Sequence, residues 1–373
     1  MSDSAASKPK TSPVRLLVLC VILVAAAGGV YAYFHYTNPP PEPLEGSSML
    51  KGYLIDASKY SKLAFPDANG DLVADTPATG PYLDPPELIF EEVAGDDPVV
   101  RSKQWDAFLK HLTTVTGKPT RYGRLAEISP APGEEDAPKD RAMNVCGSVK
   151  QQIEALKAGE IQITAFTTGQ VPMAVNAGGF VPLFAPADAA GKFGYEMEVI
   201  VPAVSPARSV ADLKGKKVAF VALSSNSGAK APLVIFEEKF GLKPSRDYEF
   251  QLTGRHDISM RMVAEGAVDA ACVANDLLKG ERTAGVLKDK PDAVRTIYTS
   301  ETFPAVCFGI PHNLNPDLAA KVKSAFASFQ FHGTGVGERY RGVQVKFVPV
   351  DYKKDWAFVR DIDERLVKNI QAK

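Results

Sequence analysis

The sequence predicts an α/β protein of two similar lobes that close on each other as a hinged clamshell. Three observations carry that expectation. From Glu87 onward, short apolar strands alternate with helical patterns, the mark of parallel βαβ units. Two stretches echo each other, EALKAGEIQITAF (154–166) and RMVAEGAVDAACV (261–273). Gly159 matches Gly266, Ile161 matches Val268, and Gln162 matches Asp269. Chain crossings fall near 195–207 and 298–310, so two segments rather than one would join the lobes.

Composition bounds the rest. A chain of 373 residues has room for two compact domains and appendages. Apolar content of 45% and charged content of 23% are those of a folded globular protein. A formal net charge of −1 gives no basic face for a nucleic-acid partner. Cys20, Cys146, Cys272 and Cys307 form no CxxC pair and no Cys/His cluster, which argues against zinc or redox chemistry. With Cys20 in the apolar N-terminal run, at most one disulfide is open to the other three, and buried free thiols are the favoured state.

At the N-terminus, Lys8, Lys10 and Arg15 precede Leu16–Phe34, a run of 19 residues without a charge. At about 1.5 Å per residue, such a helix just spans a hydrocarbon core of roughly 30 Å. Basic residues in front hold the N-terminus in the cytoplasm and export the remainder of the chain. Tyr31, Tyr33, Phe34 and Tyr36 would form an interfacial belt. The reading is a cytoplasmic segment (1–15), a transmembrane anchor (16–36), and a periplasmic or other extracytoplasmic body. A cleaved signal peptide is the alternative, with a small-residue site at Val30-Tyr31-Ala32.

Along the body, NPPPEPLEGSS (38–48) is an extended proline-rich spacer, and the whole of 37–86 is loop-rich. ELIFEEV then reads as a strand, SKQWDAFLKHLTTVTG as a helix with a C-terminal Gly, and TRYGRLA as a strand. SPAPGEEDAPKDRA, within an insertion at 128–145, reads as a surface loop. SVKQQIEALKAG is a helix; IQITAF, FVPLFA and YEMEVIVPA are strands. The rhythm resumes with KVAFVAL, a helix, YEFQLT, DISMRMVAEG, AVDAACVA, DLLKGERTAG and VRTIYTS. PDLAAKVKSAFASF, VKFVPV and an amphipathic KKDWAFVRDIDERLVKNI close the chain. The lobes are therefore placed at 87–200 (first lobe), 201–303 (second lobe) and 304–373 (return to the first lobe, with the C-terminal helices).

Candidate binding residues sit where strands hand over to helices. In open α/β sheets, ligands lie beyond the carboxyl ends of strands, facing helix N-termini. Those N-termini carry unpaired N–H groups and the positive end of the dipole. After KVAFVAL and Ser224 come Ser225, Asn226, Ser227 and Gly228. Two hydroxyls and an amide suit an oxyanion whose several oxygens each want a donor, and Gly228 permits close approach. Plain capping would need one such residue, not a run of them. No P-loop and no GxSxG elbow is present. Arg255 and His256, after YEFQLT, could add charge and a donor. Thr167, Thr168 and Gly169, at the matching strand end of the first lobe, could add donors from across the cleft. For these the plain readings are an exposed or structural His and an ordinary capped turn.

With these segments placed, residues from about Glu87 to Lys368 resemble the phosphate/phosphite/phosphonate-binding proteins of ABC importers, type II periplasmic binding proteins. The likeness rests on EALKAGEIQITAFTTGQVPMAVNAGGFVPL, SVADLKGKKVAFVALSSNSG, GRHDISMRMVAEGAVDAA, ETFPAVCFGIPHNLNPDLAAKVKSAFASF and FVPVDYKKDW. It implies that Ser225-Asn226-Ser227-Gly228 grips the phosphorus oxyanion, that His256 of Gly254-x-His256 joins it, and that an ABC permease is the partner. Many members carry Tyr just ahead of the helix SVKQQIEAL, where this chain has Ser148 and Val149. The second ligand Tyr of the family has no counterpart at Thr168–Gln170.

DANGDLVAD spaces Asp67, Asn69, Asp71 and Asp75 at positions 1, 3, 5 and 9, the oxygen spacing of calcium loops. Gly70 falls at position 4 rather than 6, and Ala78 stands where a bidentate Glu belongs. A structural calcium ion is one reading and an Asx-rich turn the other; no further cofactor is implied. The competing functions are a sensory module for a sulfonate-like anion, and a hydrolase using Ser225 or Ser227 with His256 and Asp257. Adjacent His256 and Asp257 could not orient each other as a triad requires.

Overall fold

The computed structural model describes residues 50, 52, 58–93, 97–127, 140–143 and 145–371. Gly46–Lys373 forms one compact unit. The basic segment, the apolar run 16–36, the proline-rich spacer and most of the 128–145 insertion lie outside the described residues. Among the described residues, no helix is long and apolar enough to cross a membrane.

The chain runs β1 (Leu88–Glu91), α1 (Pro98–Thr116), β2 (Thr120–Tyr122), β3 (Arg124–Glu127), β4 (Asp140–Met143), α2 (Val149–Ala158), β5 (Ile163–Phe166), α3 (Val171–Gly178), β6 (Phe180–Ala187) and β7 (Tyr195–Pro202). Next come β8 (Lys217–Phe220), α4 (Ala231–Phe240), β9 (Glu249–Leu252), α5 (His256–Ala264), β10 (Ala270–Ala274), α6 (Asn275–Ala284) and β11 (Val294–Phe303). The last elements are β12 (Cys307–Pro311), α7 (Pro316–Ser328), α8 (Gly335–Arg339), β13 (Lys346–Pro349), α9 (Tyr352–Asp355) and α10 (Ala357–Gln371).

Two mixed sheets result. The first has the order β13-β6-β12-β5-β1-β2 and the second β11-β7-β10-β8-β9. In the first, β1, β2 and β5 are parallel. In the second, β8, β9 and β10 are parallel, so their carboxyl ends share one edge. The chain crosses between β6 and β7 and returns between β11 and β12. Tyr195 pairs with Phe303 at the start of the paired crossing strands. Gly194 (φ +118°) makes this contact possible, since a Cβ there would lie 2.6 Å from the Phe303 carbonyl oxygen.

Local rules set the helix ends. Asp97 accepts from the N–H groups of Val99 and Val100 at the start of α1, and Gly117 (φ +76°) ends it. Ser148 caps α2, and the expected Gly159 closes it at φ +75°. Buried aromatic rings fill the first lobe, with Phe90, Trp105, Phe108, Phe308, Phe326 and Phe347 in mutual contact. Phe220, Phe236 and Tyr248 do the same in the second. Cys146, Cys272 and Cys307 are buried free thiols.

One expectation of detail differs. TRYGRLA is not one strand: Gly123 adopts φ +55°, and the chain turns out of the first sheet there. Residues 124–127 pair instead with 140–143, drawn from the end of the segment read as loop. The last helix also reaches the second lobe. Arg365 on α10 donates to Glu238 on α4 at 2.6 Å, which seats α10 on the second lobe.

Candidate functional site

The carboxyl end of β8 builds the centre of the site. Ser225 is extended and its Oγ accepts from the Gly228 N–H at 3.1 Å, so this serine is the cap that the plain reading called for. The next turn, Asn226–Lys230, is a π-helix rather than an α-helix, a form found often at functional sites. Pro232 explains the wider turn. It has no N–H to give the Gly228 carbonyl, and its ring would crowd that oxygen in an α-helix. The Gly228 carbonyl accepts from Val221 N–H instead, at 2.9 Å. Gly228 must be glycine: a Cβ would lie 2.6 Å from Val221 Cβ.

This turn buries Asn226 and Ser227, each 2% exposed. Both polar atoms of the Asn226 amide are buried without a hydrogen-bond partner. Such a group costs free energy that a ligand could recover, and in a folded protein it calls for an explanation.

The end of β9 lies beside it. Thr253 N–H and Gly254 N–H donate to Phe220 and Val221 carbonyls, both at 2.8 Å, and Gly254 turns the chain at φ +80°. His256 then opens α5. Burial lowers its pKa to about 4, with Asp257 opposing, so the ring is neutral near pH 7. Its Nδ1 is buried without a partner. The Arg255 guanidinium pairs with Asp257 at 2.9 Å and its side chain is 71% exposed.

From the first lobe, the Thr167–Gln170 turn packs directly against the seat. A Cβ on Gly169 would be 2.7 Å from the Ser224 carbonyl oxygen and 2.9 Å from Asn226 N. Thr168 Oγ1 donates to the Pro304 carbonyl at 2.7 Å, so its proton is committed to the crossing strand rather than to a ligand. Trp356 Nε1 donates to the Thr168 carbonyl at 3.1 Å. Within the turn, Thr167 N–H donates to Gln170 Oε1 at 3.1 Å.

Three further residues belong here that the sequence reading passed over. Tyr195 brings its hydroxyl from the crossing strand near the side chains of Thr168, Asn226 and Ser227, short of a formed hydrogen bond to the Asn226 amide. Burial pushes its ionisation up, and those contacts pull it back. Asp276 follows β10, the third parallel strand end. Its pKa is raised, chiefly by the surrounding protein, with the N–H of Leu277 opposing and Glu196 adding to the rise. Lys230, closing the π turn, is 4% exposed. The signals were present but weak: Tyr195 follows a glycine at a crossing, and Lys230 interrupts an apolar run.

Elsewhere, Asp67 and Asp71 of the Asp-rich loop are engaged by backbone. Asp67 carboxylate oxygens accept from the N–H groups of Asp71 and Leu72, and Asp71 from Val73. Asp75 accepts from Ala68 N–H at 2.6 Å, and Asn69 donates to Asp71. Among the described residues, no group of three or more His, Cys, Asp or Glu is placed to hold a metal ion.

Two α/β lobes joined by paired crossing strands, with helix starts facing inward at the junction, define a periplasmic-type solute-binding protein. Residues 139–356, more than half of the chain, match the family model described as the periplasmic substrate-binding protein of phosphonate ABC transporters. The chain belongs to that family, whose members bind and deliver substrate rather than transform it. Solved structures share the fold at low identity. A Xanthomonas citri protein bound to chloride ion is 16% identical (TM-score 0.60), over 76% of this chain and all of its own. PhnD1 from Prochlorococcus marinus, in complex with methylphosphonate, is 12% identical (TM-score 0.58), over 76% and 100%. A binding component of an ABC phosphonate transporter from Pseudomonas aeruginosa is 17% identical (TM-score 0.55), over 78% and 99%.

Proposed function

We propose that the start of the helix after β8 holds the phosphorus oxyanion of a phosphonate, and that closure of the two lobes over it is the event the permease recognises. The buried, unpartnered Asn226 amide beside buried Ser227 carries this reading. Free N–H groups of the turn and the Ser227 hydroxyl would give donors to the anion. The neutral His256 ring would add one through a nitrogen, and Tyr195 a hydroxyl from the hinge. No group here is paired as nucleophile and base, so the residues hold and orient the anion without breaking a bond.

The rim narrows the ligand class. Asp276 bears on Tyr195, and neighbouring Glu196 accepts from Asn275 and from Thr302 Oγ1. Two carboxylates beside an anion seat repel a bare dianion and favour a ligand with a cationic tail. Thermal shift of the full chain against 2-aminoethylphosphonate, methylphosphonate, phosphate, phosphite, sulfate and taurine tests this. The reading expects 2-aminoethylphosphonate to stabilise most, and methylphosphonate more than sulfate. Equal response to taurine and 2-aminoethylphosphonate would show that the seat does not select phosphorus.

The 16–36 segment serves as the anchor in this reading, supported by its uncharged length and the basic residues before it. Terminal sequencing of the membrane fraction distinguishes a retained anchor from a cleaved signal.

A further inference from the structure

Lys230 sits where an apolar residue would suffice. Its neighbours Ala229, Ala231 and Leu233 are all buried in the same helix start. An ammonium there must be desolvated, and it survives only with partners. Two of its contacts cross structural boundaries. Nζ donates to the Gly169 carbonyl of the first lobe at 2.6 Å and to Asp363 Oδ1 of α10 at 2.8 Å. The pair is lopsided: the Lys230 side chain is 5% exposed and that of Asp363 27%. Burial raises the Asp363 pKa and Lys230 opposes that rise, so the pair is held within the protein, with the ammonium the more enclosed of the two. Gly169, which Lys230 holds by its carbonyl, is also the residue whose backbone rests on Ser224 and Asn226.

We propose that Lys230 is the cation of the anion seat, acting through the Gly169 turn: it supplies the positive charge that Arg255 directs elsewhere and holds the first-lobe turn over the bound oxyanion. Lys230 positions the Gly169 turn and contributes its charge to the field at the seat. Its role rests on the anion-seat reading above. Asp363 moderates the charge, so the two partners have opposite effects on the anion. In a purely structural ion pair they would have the same effect.

That opposition is the test. Calorimetric titration of the full chain with 2-aminoethylphosphonate, methylphosphonate and inorganic phosphate compares wild type, Lys230→Met, Asp363→Asn and the double variant. Lys230→Met is expected to bind about tenfold or more weaker, the loss of a close charge in a partly desolvated site. Asp363→Asn keeps an acceptor for Nζ and is expected to bind as tightly as wild type or tighter. Lys230→Met, Asp363→Asn together leaves no unpaired charge and is expected to melt near wild type while still binding weakly. If Lys230→Met does not fold, the other two variants decide. Equal weakening by Asp363→Asn and Lys230→Met, or wild-type affinity in the double variant, overturns the inference. Wild type that binds none of the three probes overturns the anion-seat reading with it; binding by wild type and Lys230→Met alike overturns this inference alone.

Discussion

Gly169 rests on Asn226 so closely that a Cβ on the glycine would stand 2.9 Å from the asparagine's backbone nitrogen. The same Cβ would meet the Ser224 carbonyl oxygen at 2.7 Å. Neither is the end of a side chain that could swing aside, so Gly169→Ala must push the first-lobe turn off the seat. Overpacking of this kind costs about 1–3 kcal/mol. The variant is expected to melt lower than wild type and to lose affinity for its ligand, read by calorimetry on the same sample. Unchanged affinity would mean that the turn does not cover the ligand.

Asn226 sets stability against binding. A buried amide without partners costs about 1–3 kcal/mol, so Asn226→Leu is expected to melt at or above the wild-type temperature without ligand. It should also gain no stabilisation from methylphosphonate. A variant that melts lower and still responds to ligand would place the amide outside the site.

Ser225 and Ser227 divide capping from binding. Ser225→Ala removes the cap to Gly228 N–H and is expected to cost about 1 kcal/mol of stability. Ser227→Ala should leave stability nearly unchanged and weaken binding by roughly one to two orders of magnitude, the loss of a hydrogen bond to a charged group. Reversed phenotypes would exchange the two roles.

Stability should respond to pH through two groups of opposite sign. His256 is held near 4 in the fold against 6.5 in the unfolded chain. The unfolded chain binds more protons between those values, so this stability is full above about pH 6.5 and is lost as pH falls toward 4. Glu91 accepts from Val145 N–H at 2.6 Å, yet burial still raises it from 4.5 to about 7. Its contribution is full below about pH 4.5 and is lost as pH rises through 7. Each shift corresponds to roughly 3 kcal/mol at most, and the two oppose each other where their windows overlap. Glu91→Gln is expected to gain stability steeply with pH across that overlap, and His256→Asn to lose it. Urea unfolding at about pH 5 and pH 6.5 reads both slopes; the same sign in both variants would contradict the assignment.

The sequence carried the parallel βαβ rhythm, and with it the two sheets, because strand alternation and glycine helix stops are local signals. Gly159 and Gly117 end their helices for backbone reasons visible in one residue. Ser225–Gly228 was legible for the same reason: a strand end, a polar run and an apolar helix are contiguous. The illegible part depends on distant segments meeting. Tyr195, Lys230 and Asp276 reach the site only through the hinge, the lobe contact and the third strand end. The thread from Lys230 to Asp363 spans 133 positions. Thr168 was readable as a hydroxyl but not as one already bonded to Pro304. Arg255 was readable as a charge but not as one turned to Asp257.

A crystal structure of the full chain grown with methylphosphonate tests the central claim most directly. The account predicts phosphonate oxygens within hydrogen-bond distance of Ser227 Oγ and the Asn226 amide, with the Gly169 turn closed over them. Ligand density anywhere else, with the Asn226 amide still unpartnered, would contradict it.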